Sequence, residues 1–281
     1  MYKIALLTDF SQNSRNAIDS ALYFYGNKET IFYLVHSHAH IEYSHEYLAG
    51  MTGQKSSKDI HHKESLTRLK KLEVSIRADF KSERHKFILH VTSGPLKEAL
   101  PEIITTEDID LIVIGTQGEK GVKTVFLGSG TTEVLRNATC PVLVIPKKCT
   151  FQTPKNSAFV TDFKRNFSAD ILLPLQLMVS MFKSSLRIMH INEEKRLDNI
   201  QQSNRNTLEA YLSDIGPSWH WMPLFYTKTA SINLFIKELD IDFLIMVRYE
   251  HSFFERLLRE PVIKKMSFNV DVPFLVIPFK D

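Results

Sequence analysis

The chain is poor in the residues that announce several large classes of protein. Two cysteines in 281 residues, Cys140 and Cys149, make neither a disulfide framework nor a zinc spacing. Both read as structural thiols, and a reducing cytoplasm is the expected compartment. No apolar run approaches the ~18 residues of a membrane span, and no charged-then-apolar leader precedes the first strand, so neither a membrane nor standard export is expected. An excess of one charge is also missing. The 35 basic and 32 acidic residues leave a net +3, which gives nucleic acid no electrostatic footprint. Glycine is scarce, ten in all, and Gly115, Gly118, Gly128 and Gly130 fall close together. What is plentiful is apolar material. At 43% of a chain this long, it suffices for two domains, each with a core of its own.

Tyr2 to Thr8 has the composition of a strand. Ser11 stands as an N-cap before a helix from Asn13 to Tyr25, in which Ala17, Ile18, Ala21, Leu22 and Tyr25 form one apolar stripe that Gly26 ends. Glu29 to His36 supplies a second strand. The His- and Tyr-rich stretch from Ser37 to about Ser57 shows neither the helix nor the strand period and reads as a long loop or lid. Leu66, Leu69, Leu72 and Ile76 then mark a helix to about Phe80. Lys86 to Val91 is a third strand, and Gly94-Pro95 opens a helix through about Ile104. The run Leu111 to Gly115 does not alternate, which suits a parallel strand buried on both faces. Alternation of strand and helix argues for a doubly wound parallel sheet with its ligand at the carboxyl ends of the strands.

Gly115 and Gly118 bracket a turn after that strand. Nine residues later Gly128-Ser129-Gly130-Thr131 opens a helix that Ser129 or Thr131 is placed to cap. Glycines admit close backbone approach, and the unpaired N–H groups of a helix start favour an anion such as phosphate. Neither a P-loop nor a dinucleotide fingerprint fits the spacing. Gly115-x-x-Gly118, nine residues, then Gly128-Ser129 instead resembles the nucleotide loop of the ATP-binding universal stress proteins, and Ile4-Ala-Leu-Leu-Thr-Asp-Phe-Ser11 resembles that family's first strand and turn.

Beyond a polar linker from Lys147 to Ser157 the pattern restarts. Ala158-Phe-Val-Thr-Asp-Phe163 echoes Ala5-Leu-Leu-Thr-Asp-Phe10 at an offset of 153. Asp242-Phe-Leu-Ile-Met-Val247 echoes Asp110–Gly115, and Phe274–Pro278 echoes Leu143–Pro146, both at 132. The chain is an internal duplication, with 21 residues of the first copy missing from the second between those anchors. The His/Tyr stretch is the expected place for them. The whole resembles a tandem universal stress protein. The fold expected is α/β, two tandem doubly wound parallel five-stranded sheets packed as an intrachain pseudo-dimer, with a nucleotide-binding domain over 1–147 and a degenerate domain over 156–281. At an offset of 132, Gly115, Gly118, Gly128 and Ser129 become Val247, Glu250, Glu260 and Pro261. Side chains and two carboxylates thereby replace the open backbone, and the second copy is not expected to bind ATP.

The resemblance implies a site for ATP or a related adenine nucleotide, with magnesium as an accompanying ion. It places Asp9 near the adenine, Ser37 near the base through main chain, and Gly115, Thr116, Gln117 and Gly118 along ribose and phosphates. Gly128, Ser129, Gly130 and Thr131 follow on phosphate oxygens. Ser37 departs from the apolar residue common in the family, and Leu7 from its usual proline. From the residues alone, Asp9 equally suits a turn or a helix start. His36, His38, His40 and His45 fall within ten residues, and alternation puts the first three on one side of an extended segment. No cysteine or carboxylate completes a metal set there, and the reading favours a solvated loop. No activated nucleophile or base stands out, so a stress-response sensor or regulatory binding module is expected rather than an enzyme. A slow ATP hydrolase or phosphotransferase and a nucleotide-free scaffold are the alternatives, with protein association or a homo-oligomer open in each case.

Overall fold

A computed structural model describes residues 1–38, 57–116, 127–149, 152–192, 196–224, 227–249 and 271–279. It divides into two compact units whose main boundary lies between Val142 and Leu143.

The first half contains strand β1 (Tyr2–Leu7), helix α1 (Gln12–Phe24), β2 (Thr30–His38), α2 (Ser57–Asp79), β3 (His85–Ser93), α3 (Leu96–Glu107), β4 (Leu111–Gly115), α4 (Ser129–Asn137) and β5 (Val142–Ile145). β1 pairs in parallel with β2 on one side, Leu6 opposite Leu34, and with β4 on the other, Leu6 opposite Val113. β3 lies beyond β2. The Ile112 N–H donates to the Pro141 carbonyl at 2.9 Å, which brings the lead-in to β5 beside β4. Ile4, Ala5, Leu6, Leu34 and Ile112 are fully buried, and burial of a large aliphatic side chain contributes about 1.5–3 kcal/mol. The stripe on α1 is buried as its spacing predicts, and Ser11 caps the helix through the Ser14 N–H at 3.2 Å.

The second half repeats the plan with β6 (Asn156–Thr161), α5 (Ala169–Phe182), β7 (Ser185–Asn192), α6 (Asn199–Tyr211), β8 (Ser218–Pro223), α7 (Lys228–Glu238), β9 (Phe243–Arg248) and β10 (Phe274–Pro278). Its parallel sheet runs β10-β9-β6-β7-β8. The shortening of this half falls in two places. Eighteen residues (39–56) join β2 to α2 against six (193–198) joining β7 to α6, and α2 has 23 residues against 13 in α6. The His/Tyr stretch therefore holds only part of the difference, because helix length was free to change as well.

In each half the chain winds outward from the first strand in one direction and then returns to its other side. Ligands in open α/β sheets bind at the carboxyl ends of the strands beside such a reversal, which here is the cleft between the ends of β1 and β4.

Candidate functional site

The carboxyl end of β1 turns sharply through Thr8-Asp9-Phe10-Ser11. The Thr8 hydroxyl accepts from the Phe10 N–H at 3.0 Å, and Asp9 Oδ1 accepts from the Ser11 N–H at 3.0 Å. These two side-chain turns hold Phe10 in the left-handed region at φ 65°. His36, at the end of β2, donates from Nδ1 to the Thr8 carbonyl at 2.8 Å and packs its ring 4.4 Å from that of Phe10. The guanidinium of Arg68, from α2, lies 4.0 Å over the Phe10 ring. Burial pushes the His36 imidazole below its ordinary pKa. Arg68 and His38 act in the same direction, while the Thr8 carbonyl and Asp9 oppose them.

The same turn recurs in the second half. Phe163 N–H donates to the Thr161 hydroxyl at 3.1 Å, Lys164 N–H to Asp162 Oδ1 at 3.0 Å, and Phe163 takes φ 56°. His190 Nδ1 lies 3.2 Å from the Thr161 carbonyl, with its ring stacked 4.9 Å from Phe163. The Thr-Asp-Phe turn with its histidine is thus a structural device of both copies, and Asp9 has a turn-forming role independent of any ligand. What differs is the covering. In the second half Gln201 Nε2 and Asn204 Nδ2, from α6, donate to the Asp162 and Phe163 carbonyls at 2.9 and 2.8 Å. Trp219 and Trp221 close in beside Phe163, with ring centroids 6.2 Å away.

Beside the first turn, β4 ends in Gly115 and Thr116. A Cβ on Gly115 would stand 2.6 Å from Asn13 Nδ2 and 3.1 Å from the Asn13 carbonyl oxygen, so the absent side chain is what lets α1 approach β4. The matching strand end in the second half carries Val247, and there the residue two beyond the helix cap, Asp170, is exposed where Asn13 is buried. Thr116 is only 2% exposed, and its hydroxyl has no hydrogen-bond partner among the described residues. Its carbonyl accepts from the Gly128 N–H at 2.6 Å, and Gly115's carbonyl accepts from the buried Thr131 hydroxyl at 2.7 Å. Gly115, Thr116, Gly128 and Thr131 therefore converge.

Gly128 itself is the N-cap of α4. Contrary to the expectation from composition, neither Ser129 nor Thr131 caps it, because both lie inside the first turn and Thr131 is turned back to Gly115. The first intrahelical donor is Thr132, to the Gly128 carbonyl at 2.9 Å, which leaves the N–H groups of Ser129, Gly130 and Thr131 without intrahelical acceptors. No acidic residue stands in this turn, and a Cβ on Gly130 would meet nothing within 4 Å. Among the described residues this helix start carries no acidic group and offers three backbone donors.

Ser37 is one strand further out. Its hydroxyl donates to the Gly94 carbonyl, so its side chain serves the end of β3. Gln117, Gly118, His40, His45, Glu250, Glu260 and Pro261 lie outside the described residues. Of the histidine set, His36 is committed to Thr8, and among the described residues no group of three or more His, Cys, Asp or Glu is placed to hold a metal. Both cysteines are reduced, Cys140 buried and the Cys149 thiol pushed by burial up to about 11. Among the described residues no helix is long and apolar enough to cross a membrane.

Asn13 escaped the sequence reading, and His36 was read only as one of a histidine cluster, not as a partner of the Thr8 turn. His36 had a usable signal for that role, since it and His190 stand near the ends of equivalent strands 154 residues apart, close to the repeat offset of the turn. Asn13 had none, because its pairing with Gly115 exists only through the packing of α1 on β4.

The same organisation is found in known proteins. The model of the universal stress protein family matches residues 1–146. The chain belongs to that family. A universal stress protein of Methanocaldococcus jannaschii is 37% identical over 62 residues, 22% of this chain and 36% of that protein. Universal stress protein E of Escherichia coli is 33% identical over 79 residues, 26% of this chain and 25% of that protein. The chain thus matches roughly a third or less of the length of these relatives. Across the whole chain, a universal stress protein of Archaeoglobus fulgidus has the same fold, with a TM-score of 0.63, 18% identity and coverage of 99% of this chain and 97% of that one.

Proposed function

We propose that the first unit binds ATP or a related adenine nucleotide, one per chain, and that the protein acts as a cytoplasmic stress-response sensor or regulatory module. The observation that carries this reading is the start of α4. Three consecutive N–H groups there have no intrahelical acceptor, a Cβ on Gly130 would meet nothing within 4 Å, and the buried hydroxyl of nearby Thr116 has no partner among the described residues. A polyanion supplies the negative charge that a helix N-terminus favours, and its oxygens accept from those donors. Gly115, Thr116, Gly128, Ser129 and Gly130 would line the phosphates and ribose, with Gln117 and Gly118 between them in sequence. Asp9 at the neighbouring strand end would face the base. Thr131 contributes its N–H, since its hydroxyl is held by Gly115. Magnesium, if it accompanies the nucleotide, would be held chiefly by phosphate oxygens, for the described residues of this end offer no carboxylate pair.

The domain that binds is 1–147. The domain over 156–281 takes no nucleotide in this manner, because Val247 occupies the place of Gly115 and the Asp162 and Phe163 carbonyls are already engaged by Gln201 and Asn204. The described site holds no nucleophile paired with a base, which favours binding over turnover. Gentle purification followed by nucleotide extraction and a timed assay of phosphate release tests the reading. Retained adenine nucleotide without linear release supports a binding module; linear release supports a slow hydrolase. Absence of nucleotide together with no measurable affinity would leave a scaffold.

A further inference from the structure

Aligning the caps Ser11 and Ser168 matches the buried stripe of helix α5 in the second unit with that of α1 in the first. Ile18, Ala21, Leu22 and Tyr25 correspond to Leu175, Met178, Val179 and Phe182, all buried. The positions flanking that stripe do not correspond. Asn16 and Ser20 of α1 are replaced by Leu173 and Leu177. Ser20 is fully buried, whereas Leu173 and Leu177 are 51% and 45% exposed. With half-buried Met181 they recur every four residues, forming one ridge along the helix. Between Ile171 and Phe182 the helix carries no charge, and the nearest charges are exposed Asp170 at its start and exposed Lys183 just past its end.

Single exposed leucines are ordinary on protein surfaces. Beside this ridge the outer side of α5 carries only half-buried Gln176 and exposed Ser180 and no charge, whereas an amphipathic helix facing only water carries charged and polar residues opposite its core stripe. The positions of the two charges identify the occupant. A two-fold axis through the ridge near Leu177 pairs the helix with its own copy in antiparallel orientation. Leu173 of each copy then faces Met181 of the other, and Asp170 of each copy is brought towards Lys183 of the other. A parallel arrangement would set like charges together and is not compatible with that axis.

We propose that the Leu173–Leu177–Met181 ridge of α5 is an isologous docking surface for a second copy of this chain, with Asp170 and Lys183 setting the antiparallel register. The ridge is short, so the association is weak and concentration-dependent. Sedimentation equilibrium of the full chain over a wide concentration range tests this. The wild type is expected to rise from the mass of one chain towards two. Leu177→Glu, at an exposed position that leaves the core untouched, is expected to stay at one chain with an unchanged circular dichroism spectrum. Asp170→Lys should weaken association by at least several-fold and Asp170→Lys with Lys183→Asp should restore it; aspartate is tolerated at the left-handed cap now held by Lys183. A wild type that remains at one chain throughout, a Leu177→Glu protein that associates like wild type, or a double exchange that fails to recover association each overturns the proposal.

Discussion

Gly115 ends its strand against the side chain and backbone of Asn13, so close that a single added carbon would fall 2.6 Å from the Asn13 amide nitrogen. The contact gives this glycine of the proposed nucleotide loop a second, purely structural duty, that of letting α1 settle onto β4.

Gly115→Ala should therefore destabilise the first unit even without nucleotide, by about 1–3 kcal/mol as an overpacked contact. Adding Asn13→Ala should recover part of the loss. The remainder stays, because the Asn13 carbonyl oxygen lies at 3.1 Å and belongs to the backbone. Urea denaturation of the two single variants and the double variant measures both effects, and full additivity would show that the contact is not what constrains the glycine.

Thr116→Val replaces a buried, unpartnered hydroxyl with a methyl group of the same shape. Removing an unsatisfied buried polar group should leave the unliganded protein as stable or up to about 1 kcal/mol more stable. Nucleotide affinity should fall in the same variant, by roughly tenfold for a lost hydrogen bond to a charged oxygen. Equal affinity in the variant would remove Thr116 from the site.

His36 predicts a direction for the dependence of stability on pH. Its folded pKa is held by burial below the unfolded value of 6.5, so between the two the unfolded chain binds more protons. The contribution of His36 is fully present above pH 6.5 and is lost as the pH falls towards the folded pKa. His220, also lowered by burial and by Arg187, adds the same sign from the second unit. Denaturation midpoints of wild type and His36→Gln, measured across that window, should converge at the acid end. Glutamine still donates to the Thr8 carbonyl but does not titrate.

Gly130 has open space where Gly115 has none. Gly130→Ala should fold normally and gain a few tenths of a kcal/mol from helix propensity near the first turn. Parallel thermal melts of this variant and Gly115→Ala should shift in opposite directions.

Much of this was legible in the chain itself. The unalternating run of β4 told of a strand covered on both faces, the stripe on α1 told of its packing, and the repeated Thr-Asp-Phe motif told of two copies. Strand ends drifted by a residue or two, as at β2, where His38 continues a ladder that apolar pattern alone would stop at His36. The site was legible as far as backbone chemistry goes: glycine spacing and a helix start. The partners contributed by packing were not. Asn13 looks like any polar residue in a first turn, and nothing in composition says that Thr131 turns back to the Gly115 carbonyl rather than capping α4. Asp9 shows the converse. Its motif is conspicuous, yet the second copy keeps the same turn geometry, so the motif by itself marks a fold element as much as a ligand.

The most direct measurement is a calorimetric titration of the whole chain with ATP and magnesium, wild type beside Gly130→Glu. The substitution adds a carboxylate at the start of α4 through a Cβ that meets nothing within 4 Å. Saturation at about one nucleotide per chain in the wild type, with binding lost in a Gly130→Glu protein whose melting transition is unchanged, is the predicted result. Wild-type affinity in the Gly130→Glu protein would contradict the account.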